Sequence, residues 1–222
     1  MTLLVAVVVV VTGAPQSPAR TQRQVVVTNP DNYPSLLYIN SAAGRGQHTN
    51  TSGSPIFELI LYPADPSPPT PRHALVVLGG GEATGTLTLT QEAPPTGPVH
   101  IEGVISNLTE GKHGFHIHEK GSLENGCVSA KGHYNPHMRN HGNPKHLERH
   151  VGDLGNIVAD PTGTALVNIT DPLLTLVGPR SIIGRAVVVH AGVDDLGLGG
   201  HSSSLTTGNA GGRVGCGVIG HA

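Results

Sequence analysis

Thr86-Leu87-Thr88-Leu89-Thr90 alternates polar and apolar residues with period two, so its leucines share one face of an extended strand. Val99-His100-Ile101-Glu102-Gly103-Val104 alternates in the same way. Working outward from this pair, residues 74–78, 114–118, 164–169 and 185–190 read as further strands, separated by Gly, Pro and Asn turns. No long helical periodicity interrupts them. The pattern predicts an all-β sandwich or barrel of about 150 residues, spanning residues 73–222.

Composition agrees with a turn-rich β domain. The chain of 222 residues holds 31 Gly and 18 Pro without a Gly-X-Y period, which excludes a collagen helix. Trp is absent and aromatics are 3%, so Val, Leu and Ile must fill the core. Thirteen Lys and Arg stand against 15 Asp and Glu, a balance that argues against nucleic-acid binding through phosphate neutralisation. Histidine is the outlier, at 14 residues, and it is the commonest metal ligand. Two cysteines cannot build a thiolate zinc site but can make one disulfide.

Residues 3–11 are continuously apolar, far short of the roughly 20 needed to span a bilayer. Small residues and prolines follow at Thr12-Gly13-Ala14-Pro15. Residues 1–19 therefore read as a secretory signal peptide without a basic start, cleaved after Gly13, Ala14 or Ala19. The expectation is a secreted, extracellular protein with no membrane association once the signal is removed. Secretion would permit Cys127 and Cys216 to oxidise and make Asn50, Asn107 and Asn168 candidate glycosylation sites. Residues 20–72 read as an N-terminal extension, with short strands at 24–28 and 56–62. A stiff proline-rich linker closes it, at Pro63-Ala64-Asp65-Pro66-Ser67-Pro68-Pro69-Thr70-Pro71.

The histidines crowd between 113 and 150. On a strand, residues two apart face one side, so His116 and His118 point one way and Phe115 and Ile117 the other, into the core. His133, His141, His150 and Asp153 lie in a turn-rich segment and suffice for a closed tetrahedral zinc site. His190 ends the strand Ala186-Val187-Val188-Val189 and becomes a ligand only if the fold brings it beside His116 and His118. Asp194 or Asp195 could accept from the outer ring nitrogens and fix ligand tautomers. His113, His137 and His146 read as structural or surface residues, His113 with a backbone hydrogen bond.

Together these runs resemble the copper–zinc superoxide dismutases, especially their secreted members. The matching runs are Gly114-Phe115-His116-Ile117-His118-Glu119, Gly132-His133-Tyr134-Asn135-Pro136, Glu148-Arg149-His150-Val151-Gly152-Asp153-Leu154-Gly155-Asn156 and Ile182-Ile183-Gly184-Arg185. Val188-Val189-His190, Asp194-Asp195-Leu196-Gly197, Gly208-Asn209-Ala210-Gly211-Gly212-Arg213 and Cys216-Gly217-Val218-Ile219-Gly220 follow in family order. The resemblance implies an eight-stranded Greek-key β-barrel with long metal-binding and electrostatic loops. It implies copper on His116, His118, His133 and His190, and zinc on His133, His141, His150 and Asp153. It further implies an Asp194 link from His116 to His141, a Cys127–Cys216 disulfide, Arg213 over the copper channel, and superoxide as substrate. A homodimer is the expected assembly.

The chain departs from the family pattern in three places. Ser202 and Ser203 stand where many members carry acids, Thr206 where they carry a lysine, and Lys120 where many dimers have an aromatic interface residue. A metal-binding or copper-delivery protein of the same fold is the alternative, but no Cys-X-X-Cys motif is present. A zinc hydrolase would need an open zinc position.

Overall fold

The computed structural model describes residues 70–222 and the backbone of two earlier strands, β1 (Arg23–Thr28) and β2 (Pro34–Ile39). These two pair antiparallel, Arg23 opposite Ile39, and the first covers the strand expected at 24–28. The expected signal peptide at 1–19, Asn50, the strand expected at 56–62 and most of the expected linker lie outside the described residues. The chain divides into two units, residues 1–64 and 65–222.

The second unit carries β3 (Arg72–Leu78), β4 (Thr84–Gln91), β5 (Val99–Ser106), β6 (Gly111–His118) and β7 (Glu124–Cys127). A 3₁₀ turn, Val128–Ala130, comes next. After it come β8 (Asp153–Ala159), β9 (Ala165–Asp171), β10 (Ala186–His190), the one-turn helix α1 (Ser204–Thr207), β11 (Arg213–Val218) and β12 (Gly220–His221). Nine strands form one antiparallel sheet in the order β11-β10-β6-β8-β9-β5-β4-β3-β12. β12 follows β11 after a single residue, so the sheet that begins on β11 ends on its continuation and closes as a barrel. Backbone bonds from Gly79 N and Gly80 N to Cys216 O and from Ala83 N to Val214 O fasten the seam. β6 skips to lie between β8 and β10, the crossover of a Greek key.

Alternation fills the barrel. Leu87 and Leu89 of β4, Val99, Ile101 and Ile105 of β5, and Phe115 and Ile117 of β6 are buried in one core with Val187 and Val189 of β10. A smaller cluster of Ala186, Val188, Ala130, Cys127 and Cys216 sits on the other face of β10. Every residue from His113 to His118 is buried. The outer face of β6 is thus covered by loops instead of meeting water, and that covered face is where the histidines lie.

Candidate metal centre

Strand pairing assembles the site. β10 runs antiparallel to β6 with Val188 opposite His116 and Ala186 opposite His118. An irregularity between Val189 and His190 ends the regular pairing of β10 with β11, where His190 faces Arg213. An isolated bridge sets His133 beside His118, and Asp153 opens β8 opposite His116. His141 and His150 come from the loop leading into β8. The six histidines and Asp153 are all buried, and Arg213 is half-buried.

Two groups of four result, with ligand atoms in each mutually within 4.8 Å: His116, His118, His133 and His190; and His133, His141, His150 and Asp153. In the first, backbone and carboxylate acceptors dictate the tautomers. His118 Nδ1 donates to the Lys131 carbonyl at 2.8 Å, and His190 Nδ1 donates to the Gly211 carbonyl at 3.1 Å. In the neutral rings both Nε2 atoms are then bare lone pairs, and they face each other at 3.4 Å. His116 Nε2 donates to Asp194 Oδ2 at 2.9 Å, which leaves its Nδ1 bare. That Nδ1 and His133 Nε2 are buried with no hydrogen-bond partner.

The second group converges on one carboxylate oxygen. Nδ1 of His133, His141 and His150 lie 2.8, 2.9 and 3.0 Å from Asp153 Oδ1. Nδ1 of His133 and His150 are 3.4 Å apart. Four ligands about 2.0–2.1 Å from a central ion make a tetrahedron with edges of about 3.3 Å. His141 Nδ1 is near Asp153 yet makes no hydrogen bond with it. Two ligands of one ion would stand in this relation, close together without a hydrogen bond between them.

Asp194 joins the two groups: Oδ2 accepts from His116 and Oδ1 accepts from His141 Nε2 at 2.8 Å. Asn156 holds it in place, donating to the Asp194 carbonyl at 2.9 Å while Asp194 N donates to Asn156 Oδ1 at 2.8 Å. Gly208, at φ +64, lies against this bridge. A Cβ there would stand 2.0 Å from Asp194 Oδ1 and 2.5 Å from His141 Nε2, so only glycine lets the backbone pass.

Electrostatics separate the groups. Burial, with the neighbouring His133, lowers His116 to about 3, and burial likewise lowers His190 to about 4. Burial also depresses His118 and His133. These rings offer neutral nitrogen donors at neutral pH. Burial works against the charged form of His141 too, but the Asp153 and Asp194 carboxylates override it and raise the ring to about 9. Burial opposes ionisation of Asp153 and Asp194 as well, yet hydrogen bonds from their histidines hold both carboxyls below the usual range. Bare, buried nitrogen lone pairs beside an ionised carboxylate fit a pair of metal ions sharing His133.

Residues 83–219 match the copper/zinc superoxide dismutase (SODC) family. The chain belongs to that family. It is 54% identical over 149 residues to superoxide dismutase [Cu-Zn] A of Xenopus laevis, a match covering 67% of this chain and 97% of the relative. The two clusters correspond to the copper and zinc sites of copper/zinc superoxide dismutases, and copper and zinc are the cofactors.

The expected disulfide is formed, Cys127 to Cys216 with Cα atoms 5.7 Å apart. Arg213 donates through Nη1 to the Cys127 carbonyl at 2.5 Å and through Nη2 to the Lys131 carbonyl. Since Lys131 O also accepts from His118, the guanidinium and a ring of the first group share one acceptor. His113 Nδ1 donates to the His190 carbonyl at 2.7 Å, the backbone bond expected of it. His137 accepts from Arg180 at 3.0 Å, and His146 is exposed. Asn107 and Asn168 are exposed. Ser202, Ser203 and Thr206 lie at and before α1, and Lys120 is exposed beside Glu119 at 3.0 Å.

Sequence reasoning missed the carbonyls of Lys131 and Gly211, the Asn156 clamp and the Gly208 gap. Carbonyl acceptors leave no trace in residue type. Asn156 and Gly208 had one, as polar and glycine residues inside the family runs.

Proposed function

We propose that the chain converts two superoxide anions and two protons into dioxygen and hydrogen peroxide. The observation that carries this reading is His133. Its Nε2 faces His116, His118 and His190, while its Nδ1 faces Asp153, His141 and His150. Copper would be held by His116, His118, His133 and His190, and zinc by His133, His141, His150 and Asp153. Bound copper supplies the reversible one-electron couple the reaction needs, which zinc lacks.

The protein's own groups do the rest. His133 Nε2 has no protein partner, so the ring can take one of the two protons there and deliver it to the departing peroxide, water supplying the other, while Nδ1 stays tied to the Asp153 side. Asp194 fixes the tautomers of His116 and His141 from outside both sites. Arg213, anchored to two carbonyls, attracts and orients the anion. The apolar run at residues 3–11 supports secretion, and exposed Asn107 and Asn168 would then meet the glycosylation machinery. A homodimer is the proposed assembly, tested by sedimentation. Among the described residues, no helix is long and apolar enough to cross a membrane.

Elemental analysis of the purified chain and two variants tests the assignment. One copper and one zinc per chain are expected. H190A should lose copper and most activity while keeping zinc, and D153N should chiefly lose zinc. Full activity without copper, or an H190A variant retaining both copper and rate, would overturn it.

A further inference from the structure

We infer that Lys131 is a second guiding cation for superoxide at the mouth of the first histidine group. The inference deepens the dismutase reading and rests on it. Two backbone segments frame this side of the site, because their carbonyls hold its rings: Lys131 O takes His118, and Gly211 O takes His190. From Leu196 to Gly212 the sequence contains no Lys, Arg, Asp or Glu, and from Gly126 to Gly132 the sole charged residue is Lys131. Within these segments and Arg213 the only Lys, Arg, Asp or Glu residues are Lys131 and Arg213, both positive; Glu119 and Lys120, on the chain that pairs with residues 130–132, offset each other as an ion pair at 3.0 Å.

Lys131 is held there against its own backbone preference. Its φ of 65 and ψ of −144 fall near a region adopted almost solely by glycine. Several bonds over-determine the position. Its N–H donates to Val128 O at 3.2 Å, and its carbonyl accepts from both His118 and Arg213. On either side of it, Ala130 O and Gly132 O accept from Lys120 N and Glu119 N at 3.0 and 2.9 Å. The backbone thus builds the acceptor that two site residues need, and glycine would serve that purpose with less strain. What lysine adds is an exposed ammonium on a flexible stem whose root is one hydrogen bond from a ring of the site. A unit charge about 10 Å from the target, acting through water, changes the encounter rate of a monoanion about two-fold.

The test uses the full chain loaded with copper and zinc. Superoxide rates are measured by pulse radiolysis from about 0.01 to 0.3 M ionic strength, a range over which the screening length shortens to below 10 Å. K131Q and K131G, which remove the charge without and with relief of the strained backbone respectively, should both slow the low-salt rate about two-fold and flatten its salt dependence. K131R should keep the wild-type curve, K131E should fall about four-fold, and all curves should converge at high salt. Azide affinity, read optically, should weaken in the same order at unchanged metal content. Wild-type salt slopes and azide affinities in K131Q, K131G and K131E would overturn the role. So would a loss that is equal at every salt concentration, or one that K131R shares. An inactive wild-type chain would instead reject the dismutase reading itself.

Discussion

Asp194 shows how one carboxylate can set two sites. By taking Nε2–H from His116 and from His141 it presents the opposite nitrogen of each ring inward. An amide has one acceptor oxygen and cannot serve both rings, so D194N should weaken zinc binding about 10–100-fold, measured by competition with a chromogenic chelator. Unchanged affinity would mean that packing, and not this bridge, orients His141. Arg213 acts at the same scale but on the substrate. R213Q should lower kcat/KM and reduce its salt dependence while both metals remain bound. Rates and salt slopes equal to wild type would remove Arg213 from the mechanism.

The strands β6 and β10 and the bridge between β7 and β11 carry these residues into place. Phe115 is fully buried in the core on the inward face of β6, next in sequence to His116 on the opposite face. F115A should cost about 3–5 kcal/mol in chemical denaturation. The disulfide closes a sequence separation of 89 residues that contains both metal loops. Chain-entropy arithmetic gives roughly 4.6 kcal/mol for such a loop, an upper-end value. Reduction should lower the melting temperature and speed metal release, and a bridge whose loss changes neither would contradict that role. Strands with one wet face were legible in the sequence: the Thr-Leu alternation of β4 is the burial pattern of the folded strand. β8 and β11 were not: in β8 both faces are largely buried, which erases the period-two signal in Asp153-Leu154-Gly155-Asn156-Ile157-Val158-Ala159, and in β11 Gly215 and Gly217, where a Cβ would collide with Ala83 and the Val77 carbonyl, leave one face without an apolar side chain to read. The pair His116 and His118 was visible from spacing alone. The approach of His190, 72 residues after His118, depends on β10 pairing with β6 and could not be read from its neighbours.

For the whole molecule, the buried rings link folding to pH. In the metal-free protein His116 and His190 are held to about 3 and 4, against about 6.5 in the unfolded chain. The unfolded state therefore binds more protons as pH falls below 6.5, and stability drops across that window. His141 works the other way: its raised value of about 9 contributes fully below 6.5 and is lost as pH rises through 9. The melting temperature of the metal-free protein should be highest near neutral pH and lower at pH 4.5, and calorimetry that shows stability rising steadily towards pH 4.5 would contradict the burial of neutral rings. Loaded with both metals, the barrel should be more stable at every neutral pH, since ions that bind only the folded site favour it by mass action. The central claim is that the His133-bridged centre dismutates superoxide through copper. Superoxide decay should be followed by pulse radiolysis with the metal-stripped chain given zinc alone, and then zinc with increasing copper. The account predicts spontaneous decay with zinc alone and catalysis that rises in proportion to copper up to one equivalent per chain; catalysis without copper, or none at one equivalent, would contradict it.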